Sequence, residues 1–234
     1  YMITTEKTAF VYGGKTVNNT KIPVTVVYSD DKGENWTTCE LDKIYTADYY
    51  YVKFFDSDNG VIVCGYAKSN DTNESSRIYS TSNGGESWDI VGSGPATNII
   101  KGVVYVSSDV GFFCYDYVEG MDSNLYKTDD GGKTFAKVML EEQELDSSAA
   151  NPQGQETETK TDSGKNGADS SEQLRWGDVY KEALTPVVDS TGIITIYLTQ
   201  GKNAVYNDGK TAAKYQSSDK GSTWKYIGQV EIKD

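Results

Sequence analysis

The sequence predicts an all-β fold assembled from repeated units of about four antiparallel strands. Two observations support this prediction. An eight-residue pattern with a fixed order of polar, glycine and aromatic positions occurs four times in the 234 residues. Each copy lies between two short runs rich in β-branched and aromatic residues, which is typical of strands on either side of a turn. The pattern therefore marks the connection between two strands of each unit.

The pattern has Ser or Thr first, Asp or Asn third, Gly fifth and an aromatic residue eighth. A hydroxyl and a carboxylate at these places can accept hydrogen bonds from turn amides that no neighbouring strand satisfies. Glycine permits a positive φ where a Cβ would clash, and the aromatic residue supplies apolar surface for packing. The motif positions are Ser29, Asp31, Gly33, Trp36, Thr81, Asn83, Gly85, Trp88, Thr128, Asp130, Gly132, Phe135, Ser217, Asp219, Gly221 and Trp224.

The spacing of the four copies gives the size of each unit. They begin at residues 29, 81, 128 and 217, so successive copies are 52, 47 and 89 residues apart. A period near 50 residues is typical of four-stranded units. The long third interval contains residues 141–175, which are rich in Glu, Asp, Ser, Gln, Gly and Asn. We expect this segment to be a flexible acidic insert, because it has too little apolar surface to fold.

Each unit divides into strands in the same way. The opening unit has no room for a complete first strand, so we expect an incomplete first unit. The expected strands are 1–4 or 8–12, 23–28 and 35–41 in the first unit; 49–55, 61–67, 76–80 and 87–91 in the second; 99–107, 111–117, 124–127 and 134–140 in the third; and 183–188, 193–199, 212–216 and 223–232 in the fourth.

The four copies together resemble the Asp-box, or BNR, repeat of sialidases, sortilin-type receptor domains, xyloglucan-degrading glucanases and photosystem assembly factors. The resemblance covers the whole chain except the polar insert. It implies a β-propeller with one motif per blade, on the turn between the third and fourth strands. Asn83 and Phe135 depart mildly from the usual Asp and Trp. The motif is structural in catalytic and non-catalytic members alike, so it implies the fold and not a function.

Composition narrows the functional classes. The formal net charge of −13 argues against nucleic-acid binding, which depends on Lys and Arg contacts to phosphate. The chain has no His, and Cys39, Cys64 and Cys114 show no metal-ligand spacing. We therefore expect no metal and no cofactor, with Cys64 and Cys114 as small buried residues on matching strands. No apolar run is long enough to cross a membrane.

Two specific chemistries are disfavoured. The sialidases that the repeat resembles hold the substrate carboxylate with three arginines, and this chain has only Arg77 and Arg175. Residues 56–60 resemble the start of a calcium loop, but the glycine comes one place early and no Glu stands at the required distance. We interpret this segment as a tight turn.

Strand parity predicts where a ligand binds. In an antiparallel unit, the turn between strands one and two lies at the same end as the eight-residue turn; we call this the turn end. The opposite, long-loop end carries the longer connections, where binding residues are usually found. Aromatic side chains flanked by carboxylates there suit a sugar ring or a peptide, although the same residues also fit ordinary strand and surface positions. The candidates are Tyr49, Tyr117, Glu119, Asp122, Trp176, Asp178 and Tyr206.

Two functional classes remain. The first is a non-catalytic binding or assembly propeller that holds a protein or glycan at its long-loop end. The second is a glycoside hydrolase, not a sialidase, whose catalytic carboxylates the sequence does not reveal. We expect a monomer. Because Tyr1 begins inside a repeat, we also expect a fragment of an extracellular or cell-surface protein, of bacterial type, with its signal segment upstream.

Overall fold

The computed structural model describes residues 1–4, 6–42, 47–66, 76–145, 175–202 and 206–232. These residues form four antiparallel sheets in chain order and one separate hairpin. The first sheet contains β1 (Met2–Ile3), β2 (Thr8–Tyr12), β5 (Val24–Ser29) and β6 (Thr37–Asp42), and the hairpin contains β3 (Lys15–Val17) and β4 (Thr20–Ile22). The second sheet contains β7 (Ala47–Phe54), β8 (Gly60–Tyr66), β9 (Ser76–Thr81) and β10 (Asp89–Ser93).

The last two sheets follow the same order. The third contains β11 (Ile100–Tyr105), β12 (Gly111–Tyr115), β13 (Leu125–Thr128) and β14 (Ala136–Lys137). The fourth contains β15 (Glu182–Ala183), β16 (Val187–Val188), β17 (Ile194–Thr199), β18 (Thr211–Ser217) and β19 (Lys225–Glu231). A four-residue helix, α1 (Trp176–Val179), precedes it. Within the ranges given above, no helix is long and apolar enough to span a membrane.

Consecutive sheets pack face to face through separate apolar cores. One core joins the first sheet to the second, another the second to the third, and another the third to the fourth. Such radial packing of four-stranded antiparallel sheets defines β-propeller blades, and we number the sheets as blades one to four. The first core contains Val26 and Ile62, the second Ile78 and Phe113, and the third Phe112 and Ile196.

The predicted strands are present, with three differences. The first strand of blade four is split into β15 and β16, and Pro186 lies between them, where it has no N–H to donate to a ladder. The last strand of blade three contains only two residues. The sequence analysis missed the β3–β4 hairpin, whose Asn18-Asn19 turn has positive φ at both residues, the geometry that tight hairpins favour.

Other expectations are confirmed. The first strand of blade one contains only two residues, so this blade is incomplete as predicted. Cys64 and Cys114 are buried on the second strands of blades two and three. The carboxylate of Asp56 accepts the amides of Asp58 and Asn59 at 2.8 and 2.7 Å, so the calcium-like segment is a turn that uses its own carboxylate.

The four eight-residue turns share one hydrogen-bond arrangement. The first-position hydroxyl accepts the amide of the motif glycine in every copy, for example at 2.8 Å from Gly33 to Ser29. It also donates to the third residue, as Ser29 does to Asp31. Each motif glycine has a positive φ, as predicted. Hydrogen bonds from Asn35 and Ser29 lower the pKa of Asp31 to about 2, so these bonds favour the ionised carboxylate.

The residue at position seven of the eight-residue motif also takes part in the turn, which the sequence pattern did not predict. The backbone amide of that residue bonds to the third-position oxygen in all four turns, and its side chain bonds to the third residue as well. In blade two the direction of this side-chain bond is reversed, because the Asn83 side-chain amide donates to the Ser87 hydroxyl. The sequence signal was a Ser, Thr or Asn in every copy: Asn35, Ser87, Thr134 and Thr223.

Candidate functional site

A pocket of about 350 Å³ lies between blades three and four at the long-loop end. Its walls come from three irregular segments and the end of β17. These are the loop between β12 and β13, the chain after β14, and the segment that carries α1 and leads into β15. The pocket is therefore built by the long connections that strand parity assigned to this end.

Helix α1 is present at this site because blade four has apolar surface that the short β14 leaves uncovered. Trp176 is 3% exposed and its ring packs against Tyr180 and Tyr226, with centroids 4.7 and 5.3 Å away. The same cluster contains Val179 and Tyr206. The helix thus takes the place of a longer outer strand in covering blade four, and its residues form the pocket floor.

Asn124 fixes the loop that forms the opposite wall. Its buried side-chain amide donates to the carbonyl oxygens of Tyr115 and Ala183, at 2.8 and 2.9 Å. Its carbonyl oxygen accepts the Ala183 amide at 2.8 Å. One side chain therefore joins blade three to the first strand of blade four. Because all these groups are buried, loss of the amide would leave them unpaired, which is costly.

Three ion pairs lie on and beside the rim. Lys137 contacts Asp122 at 2.7 Å, Arg175 contacts Asp178 at 3.0 Å, and Lys181 contacts Glu119 at 2.8 Å. The hydrogen bonds from Lys137 and Arg175 lower the pKa of Asp122 and of Asp178. Both carboxylates are therefore ionised and paired at neutral pH. Such exposed pairs add little stability, but they place alternating charges around an apolar floor.

The pocket brings together four of the seven predicted ligand-binding residues, Tyr117, Asp122, Trp176 and Asp178. Glu119 reaches the same rim through its ion pair with Lys181. The remaining two candidates lie elsewhere. The Tyr206 ring packs behind Tyr180, with centroids 6.1 Å apart, and Tyr49 lies between blades two and three, where its hydroxyl accepts the Val103 amide at 2.9 Å.

Burial changes the interpretation of two aromatic candidates. Trp176 and Tyr206 are almost fully buried, so their ring faces are not open for stacking on a sugar. The physical reason is the uncovered surface of blade four, which these rings fill. Sequence patterns could not separate an exposed aromatic residue from one that fills a gap left by a shortened strand.

Several lining residues were missed by the sequence analysis. Met121 and Met139 line the pocket, and Met139 is 63% exposed. Methionine adapts to irregular apolar partners because it is unbranched and polarizable. A signal was available, since the chain has only three methionines and two of them lie in these loops. Lys181 and Asn124 had no comparable signal, because their role depends on contacts between blades.

A second cavity, of about 590 Å³, lies at the turn end between blades one and two. Its centre is Lys7, which is buried and donates to the carbonyl oxygens of Gly84 and Ser57 at 2.6 and 3.2 Å. Lys7 also contacts the Asp30 carboxylate at 2.9 Å and lies 4.0 Å from the Phe54 ring centroid. The Lys7 ammonium group donates to protein groups, so Lys7 joins the two blades. Short turns form most of the cavity wall.

The fold is a β-propeller with a pocket between two of its blades. No family model and no curated protein sequence matches the chain. Solved structures do match. The GH74 enzyme of Niastella koreensis is 15% identical over 87% of this chain, with a TM-score of 0.44. YCF48 from Cyanidioschyzon merolae is 11% identical over 88% of this chain, with a TM-score of 0.40.

A structure described as YCF48 bound to D1 peptide is 15% identical over 96% of this chain, with a TM-score of 0.35. The chain spans about a quarter of the matched GH74 enzyme, about half of the Cyanidioschyzon YCF48 and most of the peptide-bound YCF48. At these TM-scores and identities the likeness carries no argument about function.

Proposed function

We propose that the chain is a non-catalytic binding or assembly domain of the Asp-box propeller type, and that it holds an extended segment of a partner protein at its long-loop end. The pocket between blades three and four carries this proposal. It combines apolar lining side chains, Met121 and Met139 among them, with a rim of paired opposite charges, which suits a peptide that places one apolar side chain in the pocket and its backbone across the rim. We extend the proposal to an extracytoplasmic location, which rests on the sequence expectations alone.

A peptide is favoured over a glycan by the state of the aromatic residues. Recognition of a sugar ring uses exposed aromatic faces, whereas the Trp176 ring is buried and Tyr117 is only partly exposed. The accessible apolar lining includes Met139, whose flexible side chain suits a peptide side chain. A glycan partner is the second outcome that the binding experiment distinguishes.

A glycoside hydrolase is disfavoured by the pKa values at the site. Hydrolysis needs one carboxylic acid with a raised pKa to protonate the leaving group. Asp122 and Asp178 both line the pocket, but their pKa values are lowered. Among the described residues, every carboxyl group with a shifted pKa is shifted downward. Asp122 and Asp178 are therefore suited to hold charge rather than to donate a proton.

The test measures binding of the same protein to a peptide display library and to a glycan array. Enriched peptides are then titrated against Met139→Glu, which changes an exposed apolar lining residue, and Lys181→Glu, which changes the charged rim. Lys32→Ala, in a motif turn at the other end, is the matched control. We expect both pocket variants to lose binding by at least tenfold while the control keeps it. Binding to glycans alone, or binding lost only in the control, would contradict the proposal.

A further inference from the structure

The charges around the pocket between blades three and four are paired, with one exception. Asp122, Asp178 and Glu119 each contact a lysine or an arginine, at 2.7, 3.0 and 2.8 Å. Glu142 also lines the pocket and is exposed, but it contacts no lysine or arginine within the part of the chain that the structure describes. The rim therefore has an uncompensated negative charge at Glu142.

The carboxylate of Glu142 lies against helix α1. A Cβ placed on Gly177 would be 3.2 Å from the carboxylate carbon of Glu142, so this carboxylate occupies space that a larger residue at position 177 would fill. The backbone on either side is attached to blade four. The Glu141 carbonyl oxygen accepts the Tyr215 hydroxyl at 2.6 Å, and Leu145 packs against the buried cluster around α1. These contacts place the free carboxylate on the pocket wall.

The cations that line the pocket already have carboxylate partners. Arg175 contacts Asp178, and Lys181 contacts Glu119. Moving either cation to Glu142 would leave its present partner unpaired, so the number of free carboxylates would not change. A ligand that brings its own cation to Glu142 neutralises the last charge and leaves the existing pairs intact.

The charge of the surrounding sequence favours the same kind of ligand. Glu142 and Arg175 both line the pocket, and the sequence that connects them, residues 143–174, contains seven carboxylates and two lysines. The whole chain has a formal net charge of −13. A negative field of this kind attracts a cationic partner and repels an anionic one.

The size of the pocket limits what enters it. Its volume of about 350 Å³ is near the lower end of the range for ligand sites, about 300 to 1,000 Å³, and apolar side chains such as Met121 and Leu198 line it. It therefore suits one large apolar side chain, and the rest of a peptide would cross the rim. Successive residues of an extended peptide are about 3.3 Å apart, so a residue one or two places from the apolar one meets the rim that carries Glu142.

We infer, on the basis of the proposed function, that the pocket selects a peptide with a lysine or arginine within two positions of a large apolar residue. The apolar side chain enters the pocket and the basic side chain pairs with Glu142. Glu142 is then the residue that determines specificity for a basic partner. Because an exposed ion pair contributes modestly to affinity, its effect is on which peptides are selected and on how fast they associate.

The test starts from the peptides that the display library enriches. We expect a lysine or arginine within two positions of the apolar residue in most of them, and their binding should fall with Met139→Ser, which shortens an apolar lining side chain without changing the charge. One enriched peptide and its analogue with glutamine in place of the basic residue are then titrated against the unchanged chain, Glu142→Gln and Glu144→Gln. Glu144 is the matched control, because it is an exposed carboxylate on the same segment and is not among the residues that line the pocket.

We expect Glu142→Gln to weaken binding of the basic peptide by about threefold and to leave binding of the glutamine analogue unchanged, whereas Glu144→Gln should change neither. Glu142→Lys should prefer an analogue with glutamate at the basic position, which a purely structural role of Glu142 would not produce. Because Glu142 is exposed, these substitutions should leave the unfolding midpoint unchanged.

The outcomes separate this inference from the proposed function. Peptides that lose binding with Met139→Ser but have no basic residue, or that bind Glu142→Gln as well as the unchanged chain, would overturn the inference and leave the proposed function standing. An equal loss for the basic peptide and its glutamine analogue would also overturn it, because Glu142 would then act without pairing. If no peptide is enriched, the proposed function and the inference fail together.

Discussion

Gly132→Ala tests the physical account of the repeated turns most directly. Gly132 has a φ of 108°, a region that residues with a Cβ enter at a cost of about 1 to 3 kcal/mol. The added Cβ would lie 2.9 Å from the Ile78 side chain and 3.1 Å from the Tyr105 hydroxyl. Both neighbours are fully buried, and overpacking a closed core costs about 1 to 3 kcal/mol more.

Gly33→Ala is the matched control. Gly33 has a φ of 92°, so it carries a similar backbone cost. Its added Cβ would be 3.6 Å from the Trp36 ring, which is an ordinary contact and adds no overpacking. The difference between the two variants therefore isolates the packing of one motif against the preceding blade, at about 1 to 3 kcal/mol.

The assay is thermal unfolding of both variants and the unchanged chain, followed by circular dichroism. For a chain of this size, 1 kcal/mol lowers the midpoint by about 2 to 4 °C. We expect both midpoints to fall and the Gly132→Ala midpoint to lie a further 2 to 12 °C or so below that of Gly33→Ala. Equal midpoints would refute the contact between the motif glycine and the preceding blade. An unchanged Gly33→Ala midpoint would refute the cost of the positive φ.

Four further outcomes are expected. The folded pKa of Asp31 is lowered from 3.8 to about 2, so its ionisation stabilises the fold above pH 4 and this contribution is lost as the pH falls toward 2. The unfolding midpoint of Asp31→Asn should therefore fall less steeply between pH 4 and pH 2 than that of the unchanged chain. Trp88→Ala should lower the midpoint by about 2 to 10 °C, whereas Trp36→Ala should leave it within about 2 °C because that ring is half exposed. Replacing residues 146–171 with a short Gly-Ser linker should preserve cooperative unfolding. A fluorogenic sialoside should not be hydrolysed, and turnover that Arg77→Ala abolishes would contradict the argument from arginine supply.

The boundaries of the deletion follow from the described ends of the insert. Most of the expected flexible segment, residues 146–174, lies outside the described residues. Leu145 packs against the cluster that contains Trp176, and the Glu141 carbonyl oxygen accepts the Tyr215 hydroxyl at 2.6 Å. Residues 141–145 are therefore kept in the deletion variant. Loss of cooperative unfolding would show that the removed residues support the fold.

The sequence by itself determined the repeat, the turns and the class of fold. These features depend on local chemistry: a hydroxyl, a carboxylate and a glycine at fixed spacing close a turn with their own hydrogen bonds, and strand alternation follows from a period of two. Strand parity, which follows from the same local pattern, also placed Tyr117 and Asp122 at the end where the pocket between blades three and four lies; that a ligand binds there stays a prediction. The seventh motif position was present in the sequence as well, but its role needed the observed bonds of Asn35.

Only the tertiary structure decided which residues meet between blades. Tyr49 lies away from the pocket because it packs between blades two and three. Tyr206 and Trp176 are buried because the two-residue β14 left blade four partly uncovered. Lys181 and Glu119 are 62 residues apart, and their contact depends on the angle between two sheets. The exposure of Trp36 among four equivalent aromatic residues has the same origin. The side chains that line the pocket are positioned by packing between repeats, and a repeat's own sequence does not encode what its neighbour presents.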